Sequence, residues 1–106
     1  MLDLAMLGRL ALDGTDAHLR PVFDPVLRTF SVQLWAGDGI RGVHGMSEGF
    51  NFADEPLEAM DAFLAERGVR ALTAEEAVML YAGLVRAEGG LDWQAMRLQL
   101  GAHTQA

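Results

Sequence analysis

Residues 29–39 read TFSVQLWAGDG. Phe30, Val32, Leu34 and Ala36 alternate with Thr29, Ser31, Gln33 and Trp35. Successive side chains on a strand point to opposite faces, so this spacing predicts a strand over Thr29–Ala36 with one apolar and one mixed face. Gly37-Asp38-Gly39 follows, and glycine reaches the positive φ that a tight hairpin demands. A hairpin is expected here, with Gly39 in positive φ and Ile40–Met46 as the returning strand.

Working back from this hairpin, Asp24-Pro25 has the residue order of a type I turn. Ala17–Phe23 reads as the strand before it, confined by Pro21 to an edge or a bulge. Asp13-Gly14-Thr15-Asp16 marks an earlier turn, and Gly8–Leu12 reads as a further strand. Leu4, Leu7 and Ala11 would also suit a helix, so Met1–Leu7 stays open. Short apolar runs between evenly spaced turn signals define an antiparallel meander over residues 1–53.

Residues 54–100 change period. Asp54, Glu55 and Pro56 suit the start of a helix. Leu57, Met60 and Leu64 recur at helical spacing beside Phe63, and Gly68 with Val69 can close the helix. Thr73-Ala74-Glu75-Glu76 is a capping box, opening a helix over Ala74–Glu88 that Gly89-Gly90 stops. The middle of that helix, Val78–Val85, is apolar all round and should be buried on most sides. Asp92–Leu100 reads as a last helix capped by Asp92. Met96, Leu98 and Leu100 also alternate with Arg97 and Gln99, which leaves a closing strand open, and 101–106 reads as a frayed tail.

The expected architecture is one α+β domain over 1–106. A meander of three or four strands packs against two or three helices, and no internal repeat or linker divides it. The core should comprise Phe30, Val32, Leu34, Leu57, Met60, Leu64, Val78, Tyr81, Leu84 and Val85.

Composition narrows the function classes. The 106 residues carry fifteen acids, eight bases and a net charge of −7. Free binding to nucleic acid needs a basic face, so direct DNA or RNA binding is not expected. Cysteine is absent, which excludes disulfides, thiolate nucleophiles and Cys-type metal sites. No stretch is long and apolar enough to span a bilayer, and MLDLAMLGRLALDG lacks the basic start of a signal peptide. Cytoplasmic residence is the expectation. All eight bases are Arg, with abundant Ala and Leu, as in a GC-rich bacterial or phage genome.

Few motifs carry chemistry. Gly37-Asp38-Gly39-Ile40-Arg41-Gly42 matches G-x-G-x-x-G, but Gly42, Val43 and Gly45 cannot open the helix that a dinucleotide site needs. The glycines suit a turn, a bulge or a loop. His44 and Glu48 could form a proton-transfer pair or two metal ligands, yet His18 and His103 are remote in sequence. Ser47 lacks the glycines of a nucleophile elbow. Neither cofactor nor metal is expected.

Asp54, Glu55, Glu58 and Asp61 place four acids in eight residues without a base. Acids at a helix start are ordinary, and Glu58 and Asp61, three apart, would share a solvated face with Asp54. The same face could dock on a basic partner. Trp35, on the mixed face of its strand, could anchor such a contact or lie flat over a neighbouring strand. The leading expectation is a small acidic, non-enzymatic interaction protein, an inhibitor, immunity protein or adaptor, that occupies a basic site and in its sharpest form competes with nucleic acid. The first alternative is a self-associating assembly component covering Val78–Val85, with a symmetric homodimer as its simplest form. The second is a small enzyme or ligand-binding domain using the Gly37–Gly49 loop and His44.

Overall fold

The computed structural model describes the backbone of residues 7–104 and the side chains of residues 7–99. Four antiparallel strands, β1 (Leu10–Ala11), β2 (Ala17–Asp24), β3 (Thr29–Ala36) and β4 (Gly39–His44), form one sheet in the order β1-β2-β3-β4. Helices α1 (Glu55–Glu58), α2 (Met60–Glu66), α3 (Ala74–Glu88) and α4 (Gly90–Thr104) follow. The chain is thus an α+β meander with its helices in the second half. The open question at the N-terminus falls largely on residues 1–6, outside the described residues.

The strand over Thr29–Ala36 matches its expected bounds, and Phe30, Val32 and Leu34 are buried. It pairs with β2 without interruption, from Ala17 opposite Ala36 to Asp24 opposite Thr29. On the other side of β2, β1 reaches only His18 and Leu19. Pro21 therefore lies where β2 is an edge, and its missing amide costs no ladder bond. The Asp24 side chain accepts from the Val26 and Leu27 amides at 2.9 and 3.1 Å, which shapes the β2–β3 turn.

The β3–β4 hairpin differs from expectation in one detail. Gly37 holds φ 58°, and Gly39 does not adopt positive φ. Ala36 pairs with Gly39, so Gly37 and Asp38 are the two turn residues, and a glycine at the first of them is the II′ pattern. Gly39 is already in the strand. A shift of register between Leu34 and Trp35 marks a bulge, and the strand ends at His44 rather than Met46.

All the helices begin after the sheet, but the first expected helix is broken. Ala59, at φ −111°, separates α1 from α2. Glu58 and Asp61 therefore do not lie on one continuous helix. At the far end of α2, the Gly68 and Val69 amides return to the Ala65 and Leu64 carbonyls at 3.1 and 2.9 Å, with Gly68 at φ 73°. This is the Schellman closure that Gly68-Val69 implied.

Helix α3 is capped as its sequence required. Thr73 Oγ1 accepts from the Glu76 amide at 3.1 Å, and Glu76 accepts from the Thr73 amide at 2.9 Å. Arg70 adds a clamp that sequence reading missed. Its guanidinium grips both Glu76 oxygens at 2.8 and 2.9 Å and donates to the Asp13 carbonyl at 2.9 Å, tying the β1–β2 turn to the start of α3. The Arg70 hydrogen bonds hold the Glu76 carboxyl at about 2, against 4.5 ordinarily.

The core lies between one face of the sheet and the helices. Leu7, Leu10, Leu12, Leu19, Phe30, Val32 and Leu34 meet Met60, Phe63, Leu64, Leu80 and Leu84. Gly83 lets α3 press on β2, because a Cβ there would overlap the Leu7 carbonyl oxygen and sit 2.9 Å from Pro21 Cγ. Two expected core residues are outside. Val78 is 56% exposed and Tyr81 36%. The sheet covers the Leu80–Gly83–Leu84 side of α3, and Val78 and Tyr81 fall on another side. Leu57 is only partly buried.

The last segment is helical throughout. Helix α4 starts at Gly90, so Asp92 lies in its first turn and is not its cap. It continues to Thr104, which removes the expected closing strand and most of the expected tail.

Candidate functional site

A cleft of about 780 Å³ opens where the start of β3, the loop before α1, and helices α3 and α4 converge. Phe30, Tyr81, Val85 and Met96 supply apolar lining, and Phe52, 68% exposed, stands at the mouth. Asp54, Glu88 and Asp92 add three carboxylates against one guanidinium, Arg28. No ion pair joins Arg28 to any of them among the described residues.

Each element places its residues for a local reason. The Gly89-Gly90 turn, with both glycines at φ 74°, folds α4 back so that Glu88 and Asp92 flank one corner. Tyr81, Val85 and Glu88 recur along one side of α3 at spacings of four and three. The Glu55 carboxylate accepts from the Asn51 and Phe52 amides at 2.7 and 2.9 Å, which holds the loop that presents Phe52 and Asp54.

The four acids read from the sequence therefore separate. Asp54 is exposed and lines the cleft. Glu55 is engaged in the loop just described. Asp61 accepts from the Leu72 amide at 3.1 Å and joins α2 to the segment before α3. Glu58 is exposed and not among the cleft lining. Glu88 and Asp92, which the sequence reading placed at a helix end and a helix cap and not in a site, join Asp54 in the lining. The clue was available in the five residues Glu88–Asp92, where two acids flank a Gly-Gly turn.

Trp35 lies elsewhere. His44, opposite Val32, points to the helices, and its ring Nε2–H donates to the Pro56 carbonyl at 2.9 Å. Trp35 lies on the alternate set of β3 side chains and so faces away from α1 and the cleft. Its neighbours are His18, stacked at 6.0 Å between ring centroids, and Arg20, whose guanidinium carbon is 4.3 Å from the Trp35 ring centroid. The structure does not bring Trp35 and the acids together.

His44 is a core side chain. It is 5% exposed and packs against Phe50 and Phe63 at 5.0 and 4.9 Å. Glu48 instead accepts from the Ser47 amide at 3.2 Å. A depression of about 300 Å³ includes all three residues, but no hydrogen bond joins His44 to Glu48. The Gly37–Gly42 segment is a turn and a strand, without a helix on which a phosphate could rest. Among the described residues no group of three or more His, Asp or Glu side chains could hold a metal, and no helix is long and apolar enough to cross a membrane.

Compared with protein-family models, curated proteins and solved structures, the chain shows no match in any of the three.

Proposed function

We propose that this chain is a small acidic interaction protein, not an enzyme, and that it docks on a basic site of a partner protein through the cleft between α3, α4 and the loop before α1. The observation that carries this reading is the placement of Asp54, Glu88 and Asp92 around exposed Phe52 and Tyr81. A cleft lined by both apolar side chains and three carboxylates fits a segment that is both apolar and basic. Its hydrophobic side chains would cover Phe52, Tyr81 and Met96, while Lys or Arg side chains reach the three acids. The net charge of −7 adds long-range attraction that speeds encounter. Where the partner's basic site serves nucleic acid, these carboxylates would stand where phosphates sit, which makes the protein an inhibitor.

A synthetic amphipathic peptide with Leu and Lys or Arg at helical spacing tests this reading by calorimetry. The wild-type chain should bind it, and added salt should weaken the complex. The triple variant Asp54→Asn, Glu88→Gln, Asp92→Asn should bind at least tenfold more weakly while remaining folded. Equal affinity of the two proteins would remove the cleft from the account.

A second reading has its own support. Val78 is 56% exposed, and Leu91 and Leu98 on α4 are 81% and 74% exposed. Self-association that buried these side chains would remove exposed apolar surface from water, and a symmetric dimer is the simplest form it could take. Light scattering over a dilution series separates the two readings, since a mass independent of concentration at the monomer value contradicts self-association.

A further inference from the structure

The outward face of the sheet carries a second constellation, independent of the cleft. His18 is 4% exposed, and its ring lies between two guanidinium groups. Arg20 Nε donates to His18 Nε2 at 3.0 Å, and a terminal nitrogen of Arg9 lies 3.5 Å from His18 Nδ1. A neutral imidazole has one acceptor nitrogen and one N–H. Arg20 is the nearer donor, so Nε2 is the acceptor and Nδ1 carries the hydrogen. The Nδ1–H and the Arg9 N–H groups then share one gap with no acceptor between them. Among the described residues neither Arg9 nor Arg20 forms an ion pair.

Protonating the ring would not relieve this. It would remove the Nε2 acceptor and add a third positive charge. Burial first, and then Arg9 and Arg20, push the His18 pKa below its ordinary value, which favours the neutral ring. The other neighbours are committed. Trp35 stacks nearly parallel to His18, at 12° between planes, and its indole N–H donates to Gln33 Oε1 at 3.0 Å. Arg20 lies over Trp35 at 4.3 Å. The buried half of the constellation is thus held in place, while Arg9 is exposed.

We infer that Arg9, His18 and Arg20 form a binding site for an oxyanion, the phosphate or carboxylate group of a small ligand. One ligand oxygen would accept from both Arg9 and His18 Nδ1–H. An oxygen about 2.8 Å from each nitrogen fits across their 3.5 Å separation. The chain's net charge of −7 repels anions at a distance. Binding must therefore come from these local donors.

NMR of the histidine rings in the intact chain tests the site. Inorganic phosphate and acetate are titrated separately at constant ionic strength, with chloride as the reference salt. The expected result is a saturable shift of the His18 ring nitrogens, with Nδ1 protonated at the start, while the His44 ring stays still. Arg9→Gln, an exposed substitution whose folding a thermal melt verifies, should weaken the midpoint at least fivefold. Saturation by phosphate assigns a phosphate ligand, and saturation by acetate alone assigns a carboxylate. A His18 ring unmoved by either anion, moved equally by chloride, or moved equally in Arg9→Gln would overturn the site.

Discussion

The two sides of the sheet draw on alternate residues of the same strands, yet they carry opposite chemistry. On the inner side Phe30, Val32 and Leu34 are buried, and the acids Asp54, Glu88 and Asp92 line one cleft. On the outer side Arg20 and His18 from β2 lie beside Trp35 from β3, with Arg9 at the edge. A single net charge conceals this division. The lesson is that −7 describes how the chain meets a distant partner, while each face decides what it can hold at close range. Trp35 and the acidic segment lie on surfaces that point apart.

The largest effect on this comparison should come from its hinge point, where α3 presses on β2. Gly83→Val would drive a side chain into the Leu7 carbonyl and Pro21. Overpacking of this kind costs about 3 kcal/mol. Denaturant melts should show that loss, and cleft binding should fall with it. A wild-type midpoint would mean that the helix can lift from the sheet at little cost.

Next comes the Arg70–Glu76 clamp, which fixes α3 from its other end. Glu76→Gln should cost about 2 kcal/mol at pH 7, as expected for hydrogen bonds to a charged group. The pH dependence has a definite sign. A carboxyl held at about 2 in the folded chain and near 4.5 when free binds fewer protons folded than unfolded. Its stabilisation is complete above about pH 4.5 and is lost as the pH falls towards 2. Melts between pH 6 and pH 2.5 should therefore steepen in wild type and flatten in Glu76→Gln. Parallel curves would show that Arg70 does not hold this carboxylate.

A smaller effect separates Gly37, in the β3–β4 turn, from Gly39, the first residue of β4. Gly37→Val places a β-branched residue at φ 58° and should cost about 1–2 kcal/mol. Gly39→Val, in ordinary strand conformation with no atom within 4 Å of the new Cβ, should change stability by less than about 0.5 kcal/mol. The reverse order in thermal melts would return the positive φ to Gly39.

The smallest effect distinguishes acids by place. Glu58→Gln with Asp61→Asn removes two charges outside the cleft and keeps an acceptor for the Leu72 amide. Stability should change by less than about 0.5 kcal/mol. Affinity for a basic peptide should fall less than in the triple cleft variant. An equal fall would mean that net charge, not the cleft, governs binding.

These contrasts follow the line between what the sequence made legible and what it did not. The strand over Thr29–Ala36, the Thr73–Glu76 capping box and the Gly68-Val69 closure were all legible, because each depends on residues within a few positions of one another. The exposure of Val78 and Tyr81 was not. An all-apolar helix does not announce which side the sheet will cover, and here Gly83 made that choice by close approach. The break at Ala59 left no local signature. Arg70 reaching Asp13, and Arg9 reaching His18, required the register of β1 on β2. The candidate site was half legible. Asp54 was readable from its acidic neighbourhood, whereas Glu88 and Asp92 joined it only through the fold of α4 on α3.

The most direct measurement is an amide and side-chain NMR map of the intact chain titrated with the basic amphipathic peptide. Docking in the cleft predicts shifts concentrated at Phe52, Asp54, Tyr81, Glu88, Asp92 and Met96, with His18 and Trp35 unchanged. Shifts centred on Glu58 and Asp61, spread evenly over all carboxylates, or focused on Trp35 would contradict it.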